Sequence, residues 1–378
     1  MKKVGIICEY NPFHNGHIYH LNKIKEMYND SLIILVMSSS FTERGEISLL
    51  NKWEKTKVAL DYGVDLAVEL PFVFASQSAD IFARGAIELL KELKVDVIVF
   101  GSESNDPSEL IKIANLQLNN KEYNNKVKEY LDKGENYPSS MARAIKDMGL
   151  KEIYLPNDIL GLSYTKEIIR QNANIEVKTI KRTNDYHSKN LDNSIVSASA
   201  IRNNLDNKDI INYVPSITYS FLKNKNSNIN NNYFLLLKYK IISEQEGISK
   251  YQTVDEGIHN RILKYIEEVN SIEELILKIK TKRYTYNKLN RMFTHILCGF
   301  TKDEAKNIEI KYIRVLGFST LGMKHLNSIK KISALPIITN LKKENEALLK
   351  YEIKIDKIYN LITNDKDNSY LKGPIKKN

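Results

Sequence analysis

The 378-residue sequence predicts an α/β protein, a doubly wound parallel sheet followed by a second, mainly α-helical domain. Three observations carry that reading. Short apolar runs recur through the first 180 residues, each separated from the next by a stretch of helical spacing. Such alternation marks βαβ units, because parallel strands need a crossover and are buried on both faces. After residue 203 the apolar spacing becomes helical almost throughout, as in ILKYIEEV and IEELILKI. The charge divides at the same place: residues 1–202 carry 26 Lys+Arg against 27 Asp+Glu, and residues 203–378 carry 30 against 19. That asymmetry suggests one part that does chemistry and another that meets a polyanion, set against a plain Lys-rich solvated surface.

The elements follow in order. VGIIC (4–8) is the first apolar run, and LIILVM (32–37), DLAVEL (65–70) and VDVIVF (95–100) complete a set of four buried strands. Helices are predicted over 17–28, 53–62 and 76–93 between them. IEVKTI (175–180) offers a fifth strand, and the polar stretch 107–170 reads as a helical insertion on the sheet domain. The organisation expected is therefore a catalytic domain over 1–202 and a basic helical domain over 203–378. The Asn-rich run 224–232 falls at the junction as an exposed loop, and 363–378 reads as a frayed polar tail.

Composition excludes several classes. With 42% hydrophobic residues the chain is not intrinsically disordered. Cys8 and Cys298 are the only cysteines, too few for a disulfide framework and consistent with a reducing compartment. No apolar run approaches the roughly 20 residues of a membrane span. The opening MKKVGIIC reads as a strand and not as a signal peptide. A cytoplasmic protein without membrane contact is expected, and its oligomeric state stays open.

The strongest motif is EYNPFHNGH, Glu9 to His17, between the first strand and the first helix. A helix start leaves about four N–H groups free and carries partial positive charge, which suits a phosphate. Gly16 admits close backbone approach, and His14 and His17 add imidazole donors. A short HxGH string alone would equally describe a polar turn with two exposed histidines. Its place after the first strand of a doubly wound sheet, where ligand crevices lie, favours a nucleotide grip. A metal held by His14 and His17 is a third reading, weakened by the lack of further ligands nearby.

The wider pattern resembles a known family. GIICEYNPFHNGH, FTERGE with KWEKTKVALDYGVDLAVELPF, QSADIFARGA, FGSES, LPNDILGLSY, KRTNDYHS and SASAIR occur in the order seen in tRNA(Met) cytidine acetate ligases, members of the HxGH nucleotidylyltransferase superfamily. The match covers essentially all of 1–202 and continues more loosely through TKRYTYNKLNRMF and YIRVLGFSTLG.

The resemblance implies a nucleotidylyltransferase Rossmann-like fold and a ligase. Acetate would attack the α-phosphate of ATP to give acetyl-adenylate and pyrophosphate. The exocyclic amine of the wobble cytidine of elongator tRNA(Met) would then take the acetyl group. ATP is the substrate, with Mg2+ carried by it and no protein metal site. The ATP loop would comprise Ile7, Cys8, Glu9, Tyr10, Asn11, Pro12, Phe13, His14, Asn15, Gly16, His17, Ile18, Tyr19 and His20, with His14 and His17 catalytic. Gly101, Asn157 and Arg182 would contact the nucleotide, and Ser197, Ser199 and Arg202 the outer phosphates.

Each of these has an ordinary structural alternative: a tight turn for Gly101, a helix cap for Asn157, a surface charge for Arg182, a capped helix for SASAIR. Arg44 and Lys57 are candidates for pyrophosphate or tRNA phosphate. Glu9 and Glu103 could place magnesium or take the amine proton, and neither is assigned as base. Trp53 and Cys8 read as core. Where the family pattern has Gly-Asn and a later Gln, this chain has Ser39, Ser40 and Glu43, which puts acyl choice in doubt.

For tRNA binding, Lys282, Arg283, Lys288 and Arg291 can share a helical face, interleaved with Tyr284 and Tyr286, whose rings could stack on bases. Two other functions are kept open: a small-molecule nucleotidylyltransferase acting without RNA, and a non-catalytic RNA-binding protein.

Overall fold

A computed structural model describes residues 1–378 except 152, 154, 183–194, 226–227, 367–368 and 378. Its strands are β1 Lys2–Cys8, β2 Ser31–Ser38, β3 Leu66–Leu70, β4 Val97–Ser102, β5 Glu176–Lys181, β6 Ile313–Ser319, β7 Ile337–Ile338 and β8 Ile375–Lys377. The helices through the first half are α1 Asn15–Met27, α2 Lys52–Asp61, α3 Phe72–Ala75, α4 Ala79–Glu92, α5 Pro107–Asn119, α6 Lys121–Asp132, α7 Tyr137–Asp147, α8 Pro156–Arg170 and α9 Ala198–Asn203. There follow α10 Ser216–Lys223, α11 Ile229–Ser243, α12 Ile258–Tyr265, α13 Ile272–Ile279, α14 Tyr286–Cys298, α15 Lys302–Lys306, α16 Thr320–Ile329 and α17 Lys350–Thr363. No helix among the described residues is long and apolar enough to cross a membrane.

The strands form one sheet in the order β5-β4-β1-β2-β3-β6-β7, with β8 also on β6. Strands β1 to β5 are mutually parallel. Their continuous apolar runs are what burial on both faces demands. One face packs on α4, α5 and α8 through Leu32, Ile34, Val36, Ile98 and Phe100. The other packs on α1 and α2 through Val4, Ile6, Ile33, Leu35 and Val99. From β1 the chain runs outward to β2 and β3, then returns to place β4 on the opposite side of β1. Strand order therefore reverses between β1 and β4. The crevice outside the carboxyl ends of those two strands is where a doubly wound sheet binds ligands.

Two expectations about organisation are corrected. Residues 107–170 are largely helical, but α8 is not an appendage: most of its residues from Asp158 to Ile168 are buried against α4, α5 and β4, and it forms the crossover into β5. Nor does the chain after 203 fold apart from the sheet. Strand β6 pairs antiparallel with β3, and β7 and β8 extend it. The terminal segment thus ends in strand β8 and not in a frayed tail. Trp53, a core residue as read, donates its indole N–H to the Ser369 carbonyl at 2.7 Å, tying α2 to that segment. Helices α11 to α14 and α17 enclose their own apolar core, into which Phe41 projects from the loop after β2 and Phe72 from the start of α3. The Asn-rich run is only partly loop, since α11 begins at Ile229.

Candidate active site

The loop from Glu9 to His14 leaves the end of β1 and enters α1. His14 caps that helix: its Nδ1 accepts from Gly16 N at 3.0 Å, while His17 Nδ1 accepts from His14 N at 3.1 Å. A Cβ at Gly16 would stand 2.7 Å from the His14 ring, so the cap needs glycine there. Both imidazoles spend Nδ1 as an acceptor, so each is neutral and carries its proton on Nε2. Burial drives the His14 pKa down to about 3, aided by Arg182 and Arg202. Burial and the neighbouring His14, His20 and Arg182 push His17 well below its usual range. The rings lie 4.0 Å apart, a spacing at which two cations would repel, and Tyr10 packs edge-on against His17 at 4.7 Å. The result is a pair of fixed neutral N–H donors at a helix start.

These groups line a cavity of about 650 Å³ at the reversal point. Of the expected residues, Ile7, Cys8, Glu9, Tyr10, Asn11, His14, Gly16, His17, Tyr19, His20, Gly101, Asn157, Arg182, Ser197, Ser199, Arg202 and Arg291 all reach it. Four members of the 7–20 loop do not. Phe13 is wholly buried in the core, Pro12 is buried, Asn15 donates to Asn212 O at 2.9 Å, and Ile18 packs on the α1–α2 face. They hold the loop's shape and do not line the cavity.

The SASAIR turn meets the HNGH loop directly. Arg202 Nη1 donates to Asn11 O at 2.8 Å, and Nη2 to Glu46 Oε2 at 2.7 Å and Ser199 Oγ at 3.3 Å. Ser197 caps α9 by accepting from Ala200 N. Across the cavity, Gly101 leaves room for Arg182, whose Cγ would lie 3.2 Å from a Cβ there. That face of the strand end thus meets a guanidinium, where an adenine or ribose was expected. Arg182 Nε is buried without a partner among the described residues, and burial lowers the guanidinium pKa. The rest of KRTNDYHS, from Thr183 to Ser188, lies outside the described residues.

Asn157 sits inside the first turn of α8, and the helix is capped from outside. Glu103 Oε1 accepts from Asn157 Nδ2 at 2.5 Å and Oε2 from Asp158 N at 2.9 Å. Asp158 in turn accepts from Ser102 Oγ, Glu103 N and Ser104 N. This reciprocal clasp uses Glu103 as a negative charge at a helix start.

Sequence reasoning missed Lys55. It is fully buried, and its Nζ donates to Ser38 O and Ser39 O at 2.7 Å and Glu9 O at 3.0 Å. Three N–H bonds thus join the ends of β1 and β2 beneath the cavity. Burial lowers its pKa to about 7, opposed by the charge of Glu9. Lys57 does not reach the cavity: it pairs with Asp61 on the surface of α2. Ser39 and Ser40 are buried behind the wall and do not line it, while Thr42, Glu43, Arg44 and Glu46 do. Gly45, at φ +75°, is needed where this loop meets α14, since a Cβ would lie 2.4 Å from Arg291 N. The departure at Ser39 and Ser40 therefore does not line the cavity, whereas Glu43 does and pairs with Arg291 at 3.2 Å.

The basic candidates divide. Helix α14 begins at Tyr286, so Lys282 and Arg283 precede it in an exposed turn and share no helical face with Lys288 and Arg291. Arg283 pairs with Glu256, Lys288 lies over the Tyr284 ring, and Arg291 turns into the cavity. Tyr284 is buried with its hydroxyl on Asp255 O at 2.7 Å, so its ring cannot stack on a base, whereas Tyr286 is exposed. Thr285 and Asn287 also line the cavity, which places the start of α14 on its rim.

A Rossmann-like sheet with neutral histidines at the first helix start, facing a second motif turn across one cleft, defines a nucleotidyl transferase. The model of the HIGH nucleotidyl transferase family matches residues 1–372. The chain is 41% identical over 376 residues to the tRNA(Met) cytidine acetate ligase of Caldicellulosiruptor saccharolyticus, covering 96% of this chain and 94% of that one. It is 42% identical over 360 residues to that of Anoxybacillus flavithermus, covering 90% of each. The crystal structure of Thermotoga maritima TmcAL bound with alpha-thio ATP is 29% identical and superposes with a TM-score of 0.88, covering 100% of this chain and 99% of that one. The apo form gives 0.90 at 28% identity, with the same coverage. The chain belongs to the tRNA(Met) cytidine acetate ligase family and is a ligase.

Proposed function

We propose that this enzyme activates acetate with ATP and transfers the acetyl group to the wobble cytidine of elongator tRNA(Met). In the first step an acetate oxygen attacks the α-phosphorus and pyrophosphate leaves, giving acetyl-adenylate. In the second, the cytidine N4 attacks the acetyl carbonyl and AMP leaves. Carboxylate is a poor acyl donor, and adenylylation gives it a good leaving group. The protein's share is alignment and fixed donors for charge on the phosphates.

The observation that carries this reading is the contact of Arg202 with Asn11 O, which brings the HNGH and SASAIR motifs to one cavity. His14 and His17 offer Nε2–H to the α-phosphate region, with Arg182, Ser199 and Arg202 beside the phosphate path. Asn157 faces the nucleoside end. Among the described residues no group of three His, Cys, Asp or Glu side chains could hold a metal. Glu43, Glu46 and Glu103 already accept from protein donors. Magnesium fits this site as part of a metal–ATP complex, where it would offset phosphate charge, with phosphate and water oxygens as ligands.

The basic turn Lys282–Arg283 and exposed Tyr286 at the rim provide a place for an RNA backbone and base. The test is mass spectrometry of tRNA nucleosides after incubation with ATP, acetate and the protein. Acetylcytidine dependent on all three is the expected result. Nucleotide transfer independent of acetate and tRNA would overturn the reading in favour of a small-molecule nucleotidylyltransferase.

A further inference from the structure

The acetyl transfer leaves a proton on the attacking nitrogen, and the cavity wall holds few groups able to take it. The two imidazoles cannot, because Nδ1 is occupied by a backbone N–H and Nε2 already bears hydrogen. His20 Nε2 is buried away from the open space, and burial lowers its pKa to about 4. Burial raises the Cys8 thiol to about 12 and the Tyr10 and Tyr164 phenols well above their usual value, so all three stay protonated. Glu43 and Glu46 are ion-paired with Arg291 and Arg202.

Glu9 differs from all of these. It stands at the end of β1 on the cavity wall, and both of its protein donors, Glu43 N at 2.6 Å and Ser38 Oγ at 3.3 Å, go to Oε1. Oε2 has no donor among the described residues, and no arginine pairs with this carboxylate.

We propose that Glu9 is the general base of acetyl transfer, its Oε2 accepting the N4 proton. The assignment rests on the function proposed above. The N–C bond forms, the acyl C–O bond to the adenylate phosphate breaks with its electron pair leaving on AMP, and the amine proton passes to Glu9. Ser38 and the Glu43 amide fix Oε1 and so aim the other oxygen. Burial and the charges of Glu43 and Glu46 raise the Glu9 pKa to about 7, while the Glu43 N–H and Lys55 act against the shift. A carboxylate so placed has basicity matched to neutral pH.

The experiment compares two half-reactions of the full-length protein. Acetate-dependent ATP–pyrophosphate exchange reads adenylation. Single-turnover transfer from added acetyl-adenylate to tRNA reads the second step, between pH 5.5 and 8.5. Wild-type transfer is expected to rise about tenfold per pH unit and level off above about 7, as the base loses its proton. Glu9→Gln should cut transfer by about 100-fold or more with a flat pH profile, while exchange falls far less. Glu9→Asp should retain the pH dependence. Equal loss of exchange and transfer in Glu9→Gln, or a wild-type pH profile in it, would overturn the assignment. Wild-type protein that yields no acetylcytidine would sink the underlying function first, a result visible before any substitution.

Discussion

The two walls of the cavity are built on opposite principles. The wall formed by α1 and the SASAIR turn is donor-rich: neutral imidazoles, backbone amides and the Arg182 and Arg202 guanidinia. The facing wall, from Glu9 through the 42–46 loop, carries three carboxylates beside Arg44, and two of the three are clamped by arginines from distant parts of the chain. On the function proposed above, phosphate oxygens would be drawn to the first wall. The same contrast leaves a place for an amine, a neutral nucleophile that must shed a proton, on the acidic side. Under the proposed assignments, a single cleft would separate charge stabilisation from proton transfer.

Several changes would break that contrast. Removing both donors, His14→Ala with His17→Ala, should lower acetate-dependent pyrophosphate exchange by about 10,000-fold or more, since fixed donors at developing charge contribute 10²–10³ each. Binding of tRNA measured by filter retention should persist. Replacing the hidden tie beneath the carboxylate wall, Lys55→Met, should destabilise the protein by about 3 kcal/mol or more in urea unfolding, because the carbonyls of Glu9, Ser38 and Ser39 lose their donor. Arg202→Ala should raise the KM for ATP by roughly tenfold to a hundredfold, a loss typical of charge-assisted hydrogen bonds, and release Glu46.

A smaller effect is expected outside the cleft. Lys282→Ala with Arg283→Ala should weaken tRNA binding by about tenfold at moderate salt and reduce the slope of log affinity against log salt by up to about 2. ATP affinity should move little. The smallest expected effect is an absence: in NMR titration the His14 and His17 ring signals should stay constant from pH 8 to pH 5. The His14 pKa of about 3 lies below this window, and the same burial drives His17 well below its usual range, so lowering pH is expected to add no proton to either ring. A midpoint near 6.5 would mean that the capping bonds to Nδ1 do not persist in solution.

Much of this was legible before the structure. Strands β1 to β5 announce themselves because strands covered on both faces are apolar throughout, and the reversal after β3 places the HNGH loop at the ligand edge. Strand β6 was not read as a strand. Its run IRVLGFS is apolar enough, but it sits among helices and finds its partner β3 nearly 250 residues away, a pairing no local pattern encodes. Lys55 was invisible for a similar reason. A lysine in KWEKTKV looks solvated, and only the meeting of three carbonyls from β1, β2 and the turns beyond them makes it a core residue. Lys57, two positions on, carried the expectation instead and faces water. The cap on α8 shows the converse: the proline and asparagine of LPND mark the helix start, but the carboxylate that satisfies it comes from FGSES, 54 residues earlier.

The pairing of β3 with β6, and of β6 with β8, has a consequence for synthesis. On the ribosome, the nucleotide-binding half emerges long before the segment that covers the outer edge of β3. Until residues 313–319 arrive, β3 presents an open row of amides and carbonyls to any passing strand. Nascent chains stalled before that point should be prone to self-association, because completing the sheet edge waits on residues 313–319.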